Sequence, residues 1–307
     1  RLARYTYDKN TVTAGSPVTL FEGIPGYQFH NGGRIKFGPD GYLYVATGSA
    51  IPDTSAQDKN SFGGKILRVK TDGTPAPGNP FGTRVWSYGH RNPQGLAWNP
   101  VTGEMWSTEH GPSSTAPFCC NDEINKIVPG GNYGWPKFYG ATLTNSTYSS
   151  FNITDIKPVY TSGGSNKWAP GGAMFYKGDK LSGAWKNSLI FAGLGISGSG
   201  GGRAIYRLQL SADGKTPTQL DTLYKNQYGR IRDVAESPDG SIYFTTSNRD
   251  GRGTPSADDD KIIRLKPAGS IPTPTPSPTP TPTPAPPPTP TPPGSTPPPP
   301  ELRTINP

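Results

Sequence analysis

Residues 35–45 (IKFGPDGYLYV), 96–106 (LAWNPVTGEMW) and 234–244 (VAESPDGSIYF) are one pattern written three times. A short apolar run meets Pro, Asp or Asn, and Gly, and an aromatic or β-branched run follows. That order spells an antiparallel hairpin closed by a turn. A looser fourth copy spans GAMFYKGD (172–179) and SLIFA (188–192). A second strand type follows each hairpin, at KILRVK (65–70), EINKIV (123–128), AIYRLQ (204–209) and KIIRLK (261–266), and is expected to close each unit. RYTYD (4–8) reads as one more copy of it. Small antiparallel sheets recurring about every 60 to 80 residues are the signature of a β-propeller. The expectation is an all-β chain holding four whole blades and the last strand of a fifth. Since a ring of blades must close, an N-terminal part is expected to be missing.

Outside the hairpins the composition changes sharply. Of 307 residues 37 are Pro, and residues 271–300 are almost wholly Pro and Thr. Pro fixes φ and removes a donor, so this stretch is expected to be a disordered, extended spacer without a core. The expected division is residues 1–267 as the β domain and 268–307 as linker and tail, with room for a further module beyond. The formal net charge is +8, but the Lys and Arg residues are spread along the chain without a run. That distribution argues against nucleic acid as partner, while a small anionic ligand could use the same charge locally. No apolar stretch reaches the length of a membrane span. The chain begins at Arg1 without Met or a leader and is read as processed or shortened.

Two cysteines occur, and they are neighbours, Cys119 and Cys120. A trans peptide sets adjacent Cα atoms about 3.8 Å apart, below the usual disulfide separation. The expectation is therefore two thiols. No Cys-x-x-Cys-His is present to attach a haem.

Loops entering the innermost strands of a propeller crowd around its axis. His30 lies four residues before Arg34, Arg91 and Asn92 precede Leu96, and Arg230 and Arg232 precede Val234. Distant segments thus bring a His, several Arg and an Asn to equivalent positions. An imidazole can take a proton near neutral pH, and a guanidinium offers a fixed fork of donors to an oxyanion. Arg230 and Arg232 are one residue apart and face the same side of an extended strand. Without an anion between them they are expected to repel. Each group also has a plainer reading: a turn His bonding backbone, an Arg paired with a structural carboxylate, a solvated pair on a strand edge.

YGHRNPQGLAW (88–98), EHGP (109–112), DEIN (122–125) and GGNYGWP (130–136), in this order, resemble the pyrroloquinoline quinone (PQQ)-dependent soluble glucose dehydrogenase and sorbosone dehydrogenase family. The likeness runs over residues 1–266. It implies a six-bladed β-propeller that uses PQQ and calcium, oxidises an aldose at C1 to the lactone, passes electrons to an external acceptor, and works in the periplasm or outside the cell. It further implies His30 as the base that removes the C1 hydroxyl proton, and Arg91 and Asn92 as contacts to PQQ, with Arg91 near the reacting quinone oxygen. Arg230 and Arg232 would hold the PQQ carboxylates. The carbonyls of Gly111 and Pro112 would bind the calcium that touches PQQ, while Asp122, Glu123 and Tyr133 match further calcium positions. Trp168 is the candidate aromatic wall over the flat cofactor, with simple packing as the plainer alternative. His90 is expected only to brace its loop.

The sequence departs from the family at three points. Phe29 stands where relatives place an Asp before the His, and the basic residue expected after Leu194 is replaced by a Gly/Ser run ending at Arg203. The region carrying a Gln in the sugar site has no counterpart. Two rival functions follow. A calcium-dependent propeller lactonase would want several carboxylates at the inner loops, where this chain has arginines. A non-catalytic propeller binding carbohydrate or protein is the fate of such a fold once its site decays.

Overall fold

The structure, a computed structural model, describes residues 1–113, 119–164, 166–195 and 202–266. The Pro/Thr-rich tail expected from residue 268 onward lies outside them. The chain divides into units of residues 1–269 and 270–307, and only the first is described below.

The first unit is all-β. Four antiparallel sheets follow one another along the chain, each a meander. The first contains Gly32–Phe37, Leu43–Thr47, Lys65–Val69 and Val85–Tyr88; the second Pro93–Trp98, Met105–Glu109, Glu123–Ile127 and Tyr160–Thr161. The third contains Pro170–Phe175, Leu189–Gly193, Ile205–Leu210 and Pro217–Leu223; the fourth Ile231–Glu236, Ile242–Thr246 and Ile262–Leu265. The quoted hairpins open each sheet, with Ile35 opposite Val45, Trp98 opposite Met105 and Val234 opposite Phe244. Their turns work as their residues dictate. Asp40 accepts from the Tyr42 amide (3.2 Å) and Asp239 from the Ser241 amide (3.0 Å), while Gly41 and Gly240 take φ of 78° and 75°, which a side chain would resist.

Two expectations need correction. In three sheets the second strand type does not close the unit: it is the third strand, and a fourth follows, after a long loop in the first and second sheets and a six-residue turn in the third. RYTYD (4–8) is not one strand. Leu2–Arg4 pairs with Val18–Phe21, and Tyr7–Asp8 turns away to pair with Thr13–Ala14.

Middle strands such as Leu43–Thr47, Lys65–Val69 and Leu189–Gly193 are buried at every residue, because both faces of each sheet are covered. Trp106 and Ile124 of the second sheet pack on Phe175, Leu189 and Phe191 of the third. Met174, Ile190 and Ile205 of the third pack on Val234, Ile242 and Phe244 of the fourth. Truncating one of these, Phe191 for instance, should cost about 3 to 5 kcal/mol.

First strands of consecutive sheets lie side by side, and each carries a bulge at the same end. Between Gly32 and Ile35, Pro93 and Gly95, Pro170 and Ala173, and Ile231 and Asp233, the first strand holds one residue more than its partner. Such an insertion bends the strand and re-aims a side chain. Arg34, within one bulge, crosses to the next strands: its Nε donates to the Gln94 carbonyl (2.8 Å) and Nη1 to Asp233 (2.7 Å). Three sheets are tied at one point.

Cys119 and Cys120 form a disulfide, which corrects the expectation of thiols. The peptide between them is cis and their Cα atoms lie 3.2 Å apart, so the trans spacing behind that expectation does not apply. Among the described residues no helix is long and apolar enough to cross a membrane.

Candidate active site

The bulged ends of the first strands open into two adjoining cavities of about 430 and 280 Å³. The larger is lined by His30, Asn92, Gln94 and Arg232 and the smaller by Gly111, Pro112, Asp122 and Lys167; both share His110, Arg230 and Arg252. Seven of the expected residues, His30, Asn92, Gly111, Pro112, Asp122, Arg230 and Arg232, therefore reach one region from the first, second and fourth sheets.

Arg91 is held there by its loop. Glu109, on the second strand of the same sheet, accepts from the Arg91 amide and from the Asn92 amide (3.2 Å), and its other oxygen meets His90 Nδ1 at 2.9 Å. His90 bonds Ser87 through Nε2 and stacks on Tyr133 with ring centroids 4.5 Å apart, so its ring is spent on positioning. The Arg91 side chain then donates to the His110 carbonyl (3.2 Å) and to His30 Nε2 (2.8 Å), beside the Trp135 ring. Its buried Nε has no partner among the described residues. Among the described residues no carboxylate lies within ion-pair distance of Arg91. Burial pushes its pKa down to about 10, against the more distant pull of Asp53, Asp122, Glu109 and Glu123. It remains a cation at neutral pH.

His30 sits at φ 60° on a loop that presses its carbonyl against Gly48, where a Cβ would collide. Burial first, then Arg91 and Arg252, push the imidazole down to about 3. It is neutral, and its Nε2 lone pair faces the Arg91 guanidinium. Asn92 is engaged throughout: its Oδ1 accepts from the Gly32 amide and from Gln94 (both 3.0 Å), and its Nδ2 meets His110 at 3.3 Å.

Arg230 and Arg232 do reach one place, but they are not left to repel. Asp250 Oδ2 lies 3.0 Å from each. Arg230 also donates to the carbonyls of Leu194 (3.0 Å) and Gly195 (2.9 Å) and is buried, whereas Arg232 is partly open to solvent. The anion that the pair requires comes from the chain itself. The expectation failed because Asp250 lies on a loop 18 residues beyond the arginine it meets, with no periodicity to link them.

The expected metal residues divide between two places. Gly111, Pro112 and Asp122 line the smaller cavity, and neither carbonyl accepts a hydrogen bond from a described residue. Asp122 accepts from the amides of Gly111 (3.0 Å) and Ala169 (2.9 Å); burial pushes it up to about 6. Glu123, next on the strand, points the opposite way, toward Glu109. Burial and that neighbour raise it to about 8. The Tyr133 hydroxyl is spent on the end of the preceding strand, accepting from the Val128 amide and donating to the Lys126 carbonyl. Gly111, Pro112 and Asp122 thus lie on one side of the strand entry and Glu123 and Tyr133 on the other.

Trp168 also departs from expectation. Its ring is buried among Phe191 and Tyr206, with centroids at 5.4 and 5.6 Å, and does not wall the pocket. Its neighbours Lys167 and Ala169 face the pocket instead, because alternate residues there point to opposite sides. The sequence reading missed Arg252, Lys167, His110, Gln94 and Asp250. EHGP carried a signal for His110; Arg252 and Lys167 lie on loops without a pattern.

Residues 1–264 match the profile of the glucose/sorbosone dehydrogenase family. The chain belongs to that family. It is 34% identical over 235 residues to aldose sugar dehydrogenase YliI of Escherichia coli (strain K12), covering 72% of this chain and 58% of that protein. It is 28% identical over 346 residues to quinoprotein glucose dehydrogenase B of Acinetobacter calcoaceticus, covering 88% and 69%. Its fold superposes on the PQQ-bound aldose sugar dehydrogenase of Streptomyces coelicolor with a TM-score of 0.71 at 37% identity, over 86% of this chain and 71% of that one. The chain thus spans less than two thirds of the E. coli relative's length.

Proposed function

We propose that this family member is a PQQ- and calcium-dependent dehydrogenase that oxidises an aldose at C1 to the lactone and hands electrons to an external acceptor. The observation that carries the reading is the convergence of Arg230, Arg232, Arg252 and Lys167 on two adjoining cavities, with Arg91 bonded to His30 and His110 of their lining. A buried cation without a carboxylate contact, one of whose donors is unpaired, is costly unless a ligand completes it. A flat tricarboxylate with carbonyl oxygens fits such a donor set. We further infer a six-bladed β-propeller, supported by four successive sheets whose first strands pack side by side.

Bound PQQ would supply the two-electron acceptor for hydride from the sugar C1. Arg230, Arg232, Arg252 and Lys167 would hold its carboxylates. Arg91, on a loop held by Glu109 and bonded to the His110 carbonyl, would stabilise negative charge appearing at the reacting carbonyl. His30 would take the hydroxyl proton at Nε2, and since Arg91 now donates to that nitrogen, transfer requires Arg91 to turn toward the ligand. The Gly111 and Pro112 carbonyls with Asp122 would hold calcium. Among the described residues no three His, Cys, Asp or Glu side chains cluster as a metal site, so main-chain oxygens carry that role. The lactonase reading has less support, because the pocket is lined by cations. A secreted or periplasmic location is favoured by the Cys119–Cys120 disulfide, and the tail could carry a further module.

Reconstitution tests this. The apo-protein should gain dye-linked aldose oxidation only with both PQQ and calcium. Equal activity after exhaustive chelation removes the metal from the reading, and activity with NAD alone removes PQQ.

A further inference from the structure

A third cavity, of about 190 Å³, opens between the second and third sheets and does not join the other two. The segment of residues 166–169 is the wall between them. Lys167 and Ala169 face the axial pocket, whereas Asn166 and Trp168 line the third cavity. Its other side is formed by Tyr160, Tyr206, Thr222 and Lys225.

The lining is polar where it is open. Trp168 and Tyr206 are almost wholly buried, and no hydrogen bond joins the indole N–H or the phenol hydroxyl to a described residue. Buried Trp and Tyr polar atoms ordinarily find partners. Both side chains line this space. Thr222, Asn166 and Lys225 likewise keep their side-chain donors free of described partners. Donors and acceptors are both present, no carboxylate is among the described lining residues, and the half-buried Tyr160 ring lies parallel to the Trp168 ring. Hydroxyl-rich rings use this combination, with oxygens meeting scattered donors and a C–H face meeting an aromatic ring.

We propose that this cavity is a second saccharide site, separate from the axial pocket and holding one sugar ring. It stands independently of the cofactor reading. An occupant would press on Trp168, whose neighbour Ala169 donates to Asp122, the residue that also holds the Gly111 amide. The two cavities share a wall held by one carboxylate.

The test is calorimetric titration of the cofactor-free full chain with glucose and maltose, alongside saturation-transfer NMR. Millimolar binding should persist in His30→Ala and Arg232→Gln. It should weaken about tenfold in Tyr206→Phe combined with Lys225→Met, a loss of about 1.4 kcal/mol. Tyr206→Phe keeps the packed ring and Lys225 is exposed, so this variant is expected to fold, as its melting temperature will show. Lys225→Met alone is the fallback, with a smaller loss. Absence of saccharide binding overturns the proposal, as does binding lost in the axial variants and kept in the Tyr206 variant. Equal binding of inorganic phosphate, displaced by neither sugar, would assign an anion site to Lys225 and overturn it as well.

Discussion

Arg91 and the Arg230–Arg232 pair line one region of the molecule and are held in opposite ways. The pair is neutralised in advance by Asp250, and Arg230 is further tied to two carbonyls. Arg91 is equally buried but meets no carboxylate directly; it is oriented by a carbonyl and a neutral imidazole, and one nitrogen is left over. The contrast separates two duties. Charge already paired with the protein can bind a ligand only by exchange or sharing. Charge left unpaired and fixed in place is available where new negative charge develops.

The largest effect expected from this contrast lies at Arg91. Arg91→Met keeps bulk but removes the cation, and turnover should fall by about 10² to 10³. Because a poorly compensated buried charge is replaced by an apolar chain, stability should hold or rise. A variant that loses its melting temperature along with its activity would show Arg91 to be structural. Asp250→Asn reverses the pattern. Melting should show a loss of roughly 1 to 3 kcal/mol as two arginines lose their anion, while PQQ affinity, read by absorbance titration, should rise. Weaker PQQ binding would mean that Asp250 orients the pair and does not compete for it.

Arg232→Gln should be milder. This arginine is partly exposed, so stability should change by no more than about 1 kcal/mol, and PQQ binding should weaken by about 1.5 to 3 kcal/mol. Affinity indifferent to the change would remove Arg232 from the clamp. The smallest effect concerns pH. Folding depresses His30 from 6.5 to about 3, so between those values the unfolded chain takes up a proton that the folded one refuses. Stability from the neutral His30 is complete above about pH 6.5 and is lost as pH falls toward 3. His30→Gln should flatten the decline of melting temperature from pH 7 to 4. Parallel curves would show His30 to be solvated and the imidazole free to protonate.

Much of the architecture was legible because turn chemistry repeats locally. Pro, Asp and Gly between apolar runs mark the three hairpins, and the apolar third strands follow at regular distance. The fourth strands were not legible. Tyr160–Thr161 is two residues long, and Pro217–Leu223 is largely polar on its open face, so neither carries a period. At the site, residues in dense motifs such as Arg91 and Asn92 were found, and so was the shared destination of Arg230 and Arg232. Asp250, Arg252 and Lys167 were not, because loops bring them in by tertiary folding alone. Trp168 was misplaced for a related reason: sequence shows an aromatic residue near the pocket but not on which side of its segment it falls.

The four matched bulges have a further consequence. A strand fixes the parity of its side chains, so any change of face at one end would normally propagate to the other. One extra residue in each first strand resets that parity between hairpin and pocket. The half of each strand that packs the sheets and the half that meets a ligand are thereby uncoupled. Residues such as Arg34 and Gln94 can be exchanged without turning Ile35 or Leu96 over, and such a frame can change its chemistry while its packing stays as it is.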